Sequence, residues 1–178
     1  VHTWDLARAL GVDEQLDAEL VALTWAQVEP AAPMLAVSGK LDLKAGGPAV
    51  KWDKEFRRRT LYGEVSRFRT ERTLTLFDFP DPSIHAEKRV ATNTSVQRLF
   101  FLNSGFIKEQ AEALALRIAR GAAVDVDSQV KFAYSLLFGR EPEPRESDAA
   151  RRFLSEPSGT LAAYAQVLLS SSEFSFVD

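Results

Sequence analysis

Ile107, Ala111, Leu114, Ala115 and Ile118 fall at i, i+4, i+7, i+8 and i+11. That spacing commits the middle of the chain to an amphipathic helix with one apolar face. Ser104-Gly105 starts it and Gly121 closes it. Asp127 is expected to cap a following helix, with Val130, Ala133, Tyr134 and Leu137 inward and Gly139 past its end. Pro144 suits the first turn of another, which carries Ala149, Phe153 and Leu154. Ser158 is expected to open the last, with Leu161, Tyr164, Ala165 and Leu168 on one face. Phe174 and Phe176 alternate with Ser175 and are expected to pin the tail to the core. The second half therefore reads as four or five helices joined by short links.

Upstream, Thr94-Ser95-Val96-Gln97 is a capping box, in which the threonine oxygen accepts from the third backbone N–H and Gln97 reaches back. Val96, Leu99 and Phe100 follow at helical spacing, and Asn103, on the same face, is expected to end that helix and bond the backbone of the next turn. Leu74, Leu76, Phe77 and Phe79 read as a short buried extended segment, and Thr60-Leu61-Tyr62 leans toward strand. Asp78, Pro80, Asp81 and Pro82 hold the chain out of helix as an ordered loop. Met34 to Leu41 reads as one more helical piece, and Gly46-Gly47 as a turn that needs positive φ. Two short helices around Gly11 are expected in residues 1–29, with Leu16, Leu20, Val21 and Trp25 on one face. The fold class is thus mainly α: a helical bundle-like array with a few short strands and an ordered Pro-rich loop.

A length of 178 residues allows one domain, or one with a small appendage. The chain begins at Val1 and is read as a piece of something longer. It has no cysteine, which excludes disulfides, thiolate metal sites and cysteine nucleophiles. A net charge of -3 leans away from a nucleic-acid binder. No apolar run reaches the ~18–20 residues that a membrane span needs. His2 and His85 lack metal-ligand spacing, and no Gly-x-Ser-x-Gly elbow exists. Gly39-Lys40-Leu41 is not a phosphate-binding loop, and Asp78 with Asp81 lacks calcium-loop spacing. No catalytic residue, metal site or cofactor is assigned.

Charge is segregated along the chain. Residues 1–29 hold six carboxylates against Arg8, whereas Lys54 to Arg72 hold seven cations against Glu55, Glu64 and Glu71. Arginine suits bidentate capture of carboxylate, sulfate or phosphate. The candidate ligand-binding residues are Arg58, Arg59, Tyr62, Asp78, Arg89, Asn93, Gln97 and Asn103, with Thr92 among them. Two roles are open to this cluster. In one, arginines bond Asp78 and loop carbonyls and clamp the Phe77–Pro82 loop onto the Gln97 helix. In the other, the cluster lines an anion or sugar pocket. A glycosidase-type carboxylate pair would draw on Asp78 or Asp81 with Glu87.

SGKLDLKAGGP (38–48), RRTLYGEVSRF (58–68), LFDFPDPS (76–83), KRVATNTSVQRLFFLNSGFIKEQAEALA (88–115) and the closing LLSSSEFSFVD together form an ordered pattern. With them the chain resembles the C-terminal domain of unknown function of large secreted proteins from planctomycetes and related bacteria. Those proteins often carry a cytochrome-c-like domain as well. The resemblance covers residues 34–178 and leaves 1–33 as a separate N-terminal segment, where Val28 to Pro33 replaces a helix rich in Arg and Asp. Phe138-Gly139-Arg140-Glu141-Pro142 and Ser171-Ser172-Glu173-Phe174 are also similar to a helical module of phycobilisome-linker-type proteins. These resemblances imply a periplasmic or extracellular location and partners among other domains of the parent protein, a cytochrome-c-like domain included. They imply a non-catalytic assembly or ligand-binding role. The alternative is a hydrolase or carbohydrate-processing domain using loop carboxylates and arginines.

Overall fold

The computed structural model describes residues 31–66, 68, 70–81, 83, 92 and 94–175. Among the described residues eight α-helices follow one another: α1 (Ala31–Ser38), α2 (Arg72–Leu76), α3 (Ser95–Asn103), α4 (Gly105–Gly121), α5 (Val126–Phe138), α6 (Pro144–Ser155), α7 (Leu161–Leu169) and α8 (Ser172–Ser175). The mainly α architecture expected from the spacing is the one observed. Extended pairing among the described residues is reduced to the isolated parallel bridges Asp42–Arg58 and Val50–Gly63. No helix of the described residues is long and apolar enough to cross a membrane.

Helix α4 is the axis of the molecule. Ile107, Ala111, Leu114, Ala115 and Ile118 are all buried, so its apolar face is covered along its whole length. The covering residues come from Met34 of α1, Phe101 of α3, Val130, Ala133 and Tyr134 of α5, and Ala165, Leu168 and Leu169 of α7. Fully burying a Leu or Ile side chain is worth about 1.5–3 kcal/mol, so this face dominates the packing energy. Phe174 of α8 packs on the same core. Phe176 and the helices expected around Gly11 lie outside the described residues.

The helix termini explain the boundaries and correct several expectations. Asp125, not Asp127, caps α5, its Oδ1 accepting from the Ser128 N–H at 2.8 Å. Asp127 sits in the first turn and pairs with Arg151 instead. Thr160, not Ser158, caps α7 by accepting from the Ala163 N–H at 3.1 Å. In α6, Pro144 does occupy the first position, and the Glu143 N–H donates to Glu146 Oε2 at 2.7 Å. Ala150 rather than Ala149 faces inward there. Gly139 ends α5 with φ 66°, as a left-handed cap requires.

Two stretches read as extended are helical. Arg72–Leu76 forms α2 because the Glu71 carboxylate accepts from the Thr73 and Leu74 N–H groups at 2.5 and 3.2 Å. That cap overrides the β-propensity of Thr-Leu-Thr-Leu. Thr60–Tyr62 is a 3₁₀ turn closed by the Gly63 N–H on the Thr60 carbonyl at 2.9 Å. The inward face of α3 is also rotated by one position from the expected one. Gln97 and Phe101 are buried, whereas Val96, Leu99 and Leu102 are 60%, 54% and 57% exposed.

Candidate functional site

Two polar clusters hold the described candidate residues other than Asn103. The first is organised by Gln97, which is 3% exposed. Its Oε1 accepts from the Thr94 N–H at 2.7 Å, completing the expected capping box with Thr94 Oγ1. Its Nε2 donates to the Leu76 carbonyl at 2.9 Å and lies 3.2 Å from Asp78 Oδ2. The Thr92 N–H reaches the same Asp78 oxygen at 2.7 Å, and the Thr92 hydroxyl donates to the carboxylate at 2.8 Å. Asp78 has φ 58°, a left-handed backbone that short polar residues adopt more readily than others. One amide thus ties the end of α2, the loop after it and the start of α3.

The expected clamp of this loop onto the Gln97 helix therefore exists, but its chemistry differs. Among the described residues the partners of Asp78 are Thr92 and Gln97, with no arginine between them. Asp81 accepts from the Ser83 N–H and hydroxyl, and these bonds hold its carboxyl below the usual range. Arg89, Asn93, His85 and Glu87 lie outside the described residues. Asn103 is exposed as the last residue of α3. The cap at the next turn is Ser104, whose Oγ accepts from the Phe106 N–H at 3.2 Å.

The second cluster closes the Ala45–Pro48 turn. Gly46 and Gly47 take φ 73° and 93°, conformations that strain a side-chain-bearing residue. Arg58 Nη2 donates to the Lys44 and Gly46 carbonyls at 2.8 and 2.6 Å, and its guanidinium stacks 3.8 Å from the Tyr62 ring centre. The Gly46 N–H donates to Tyr62 Oη at 3.0 Å. That bond and the Arg59 and Arg58 charges pull the phenol below its ordinary pKa. Arg59 contributes a long contact of 3.5 Å to the same hydroxyl. Arg58, Arg59 and Tyr62 meet around this backbone turn, and Arg58 bonds the Lys44 and Gly46 carbonyls where bonds to Asp78 and its loop were expected. Trp52 lies across Gly63, where a Cβ would stand 2.0 Å from its ring, and its indole N–H donates to the Glu64 carbonyl at 2.8 Å.

A third constellation was not among the candidate residues. Arg140 is gripped on both edges. Its Nη1 and Nη2 meet the two Glu146 oxygens at 2.8 Å, and its Nε and Nη2 meet those of Glu173 at 2.7 Å. Tyr134 and Phe138 stand under the guanidinium at 5.1 and 5.6 Å. Arg140 holds Glu146 down at about 2 and Glu173 below its ordinary value. A glycosidase pair needs one carboxyl raised to act as an acid. Both of these are held ionised, so the pair is an ion clamp. The signal was in the sequence: Arg140 lies in the Gly-Arg-x-Pro turn and Glu173 in the Ser-x-Glu-Phe ending.

What these parts define is a class of protein: an all-α domain whose motif side chains bond one another across loops and helix ends. Residues 24–154 match the family described as PSD1, protein of unknown function (DUF1553), and the chain belongs to that family. No curated protein and no solved structure matches it.

Proposed function

We propose that this domain is a non-catalytic assembly module of a larger exported bacterial protein, docking onto other domains of its parent. The observation that carries this reading is the inward use of the motif side chains. Asp78 and Gln97 bond each other's loops, Arg58 bonds turn carbonyls, and Arg140 joins two carboxylates. Such an arrangement shapes a surface rather than activating a substrate. The rival hydrolase reading finds no support in the same geometry, because Asp78 and Asp81 already serve local N–H and O–H donors.

The surface so shaped presents Val96, Leu99 and Leu102 outward along α3 at i, i+3 and i+6. Exposed apolar rows of this kind favour association. Mixed with the remainder of its parent polypeptide, the domain is expected to co-elute on gel filtration. A Leu99→Asp, Leu102→Asp double variant should elute alone while keeping its helical circular dichroism. Independent elution of the unaltered domain would end the assembly reading. Export is tested separately, by whether the full parent chain is recovered outside the cytoplasm.

A further inference from the structure

A hollow of about 520 Å³ lies between the end of α1, the outer side of α4 and Phe132 of α5. That volume falls in the ~300–1,000 Å³ range of small-molecule pockets. Its rim carries Lys40, Arg117 and Arg120, and its apolar wall is made by Leu116 and the Phe132 ring. None of the residues lining it is acidic. The chain as a whole carries a net charge of -3, so three cations around one depression is a local inversion of sign.

The three cations are not equivalent. Lys40 is paired with Glu109 at 2.7 Å. Arg117 donates to the Ala36 and Val37 carbonyls at 2.9 and 2.8 Å, which holds the last turn of α1, and meets no carboxylate among the described residues. Arg120 is exposed and makes no ion pair with any described residue. Leu116, one turn before it, is 58% exposed. An exposed guanidinium without an ion pair among the described residues and an unburied leucine thus share the outer side of α4, with Phe132 across the hollow.

We propose that this hollow binds a small organic anion, one whose carboxylate, sulfonate, sulfate or phosphate head is joined to an apolar ring. The head sits between Arg120 and the free edge of Arg117, and the ring lies against Leu116 and Phe132. A bare inorganic ion would leave the apolar wall uncovered, and a neutral ring would leave the cations unmatched. Both parts are needed. The hollow is separate from the Gln97 and Tyr62 clusters and does not depend on docking to a parent domain.

The test uses three probes on the intact chain: 2-naphthalenesulfonate, inorganic sulfate and 2-naphthalenemethanol. Naphthalenesulfonate is expected to bind with amide shifts at Gly39, Ala113, Leu116 and Gly121, and to weaken as salt is raised. Sulfate alone and the neutral alcohol should each bind about tenfold more weakly or worse. Arg120→Ala removes a group with no ion pair among the described residues, so it should melt with the parent chain yet lose about tenfold in affinity, the loss of one charge-assisted bond. Leu116→Ala should weaken naphthalenesulfonate but not sulfate. Absence of binding, equal binding of the neutral alcohol, shifts centred elsewhere, or unchanged affinity in Arg120→Ala would each overturn the assignment.

Discussion

Asp78 holds a left-handed backbone at φ 58° and answers for it with bonds to Thr92 and Gln97. Its removal leaves the half-buried Thr92 N–H and hydroxyl without this acceptor and takes one of the acceptors of Gln97, a costly kind of loss. Asp78→Ala is expected to destabilise the domain by about 2–4 kcal/mol. For a chain of this size that lowers Tm by about 5–12 °C, measured by circular dichroism. A variant that melts with the parent chain would show that the loop is not clamped. Glu146 gives a pH prediction. Its folded pKa of about 2 lies below the ordinary 4.5. The stabilisation is therefore complete above the ordinary value and drains away as pH falls through the folded one. Urea midpoints of the parent chain should drop across that window, and Glu146→Gln should flatten the drop. Identical acid limbs in the two proteins would mean that Arg140 does not hold this carboxylate.

At the scale of elements, α4 concentrates the packing. Leu114→Ala opens a cavity on its buried face and should cost about 2–5 kcal/mol, whereas Leu116→Ala on the exposed side should stay within about 0.5 kcal/mol. Denaturant titration separates the two. This contrast was legible in the sequence, because a face repeating at helical spacing names its own inward residues. The orientation of α3 was not. Pattern reading turns a glutamine outward, whereas Asp78 and the Leu76 carbonyl, some twenty residues upstream, give the Gln97 amide nitrogen buried partners. Helix α2 escaped for a related reason. A single Glu71 side chain capping two N–H groups outweighs the strand preference of the residues it precedes. The candidate polar residues were found as types, but their pairing was not, since partners distant in sequence leave no periodic mark.

At the scale of the molecule, the irregular stretch after α1 is moored to α4 through Glu109. Lys40 and Arg57 both donate to Glu109 Oε1 on α4, at 2.7 and 2.8 Å. Those donors hold the Glu109 carboxyl below its ordinary value. Glu109→Ala should speed hydrogen exchange at the Asp42, Val50 and Glu64 amides and leave Ile118, Ala133 and Leu169 protected. Uniform acceleration throughout would instead mean that loop and helices open as one unit.

Arg140 grasps Glu173 across 33 residues, and this bears on how the chain is cut for use. A recombinant boundary drawn at residue 154, where the family match stops, would discard α7 and uncover the long face of α4. It would also leave the guanidinium with one carboxylate instead of two. The smallest piece that can be excised intact ends beyond Glu173, and a tag fused ahead of that position would pull on the latch rather than trail from it.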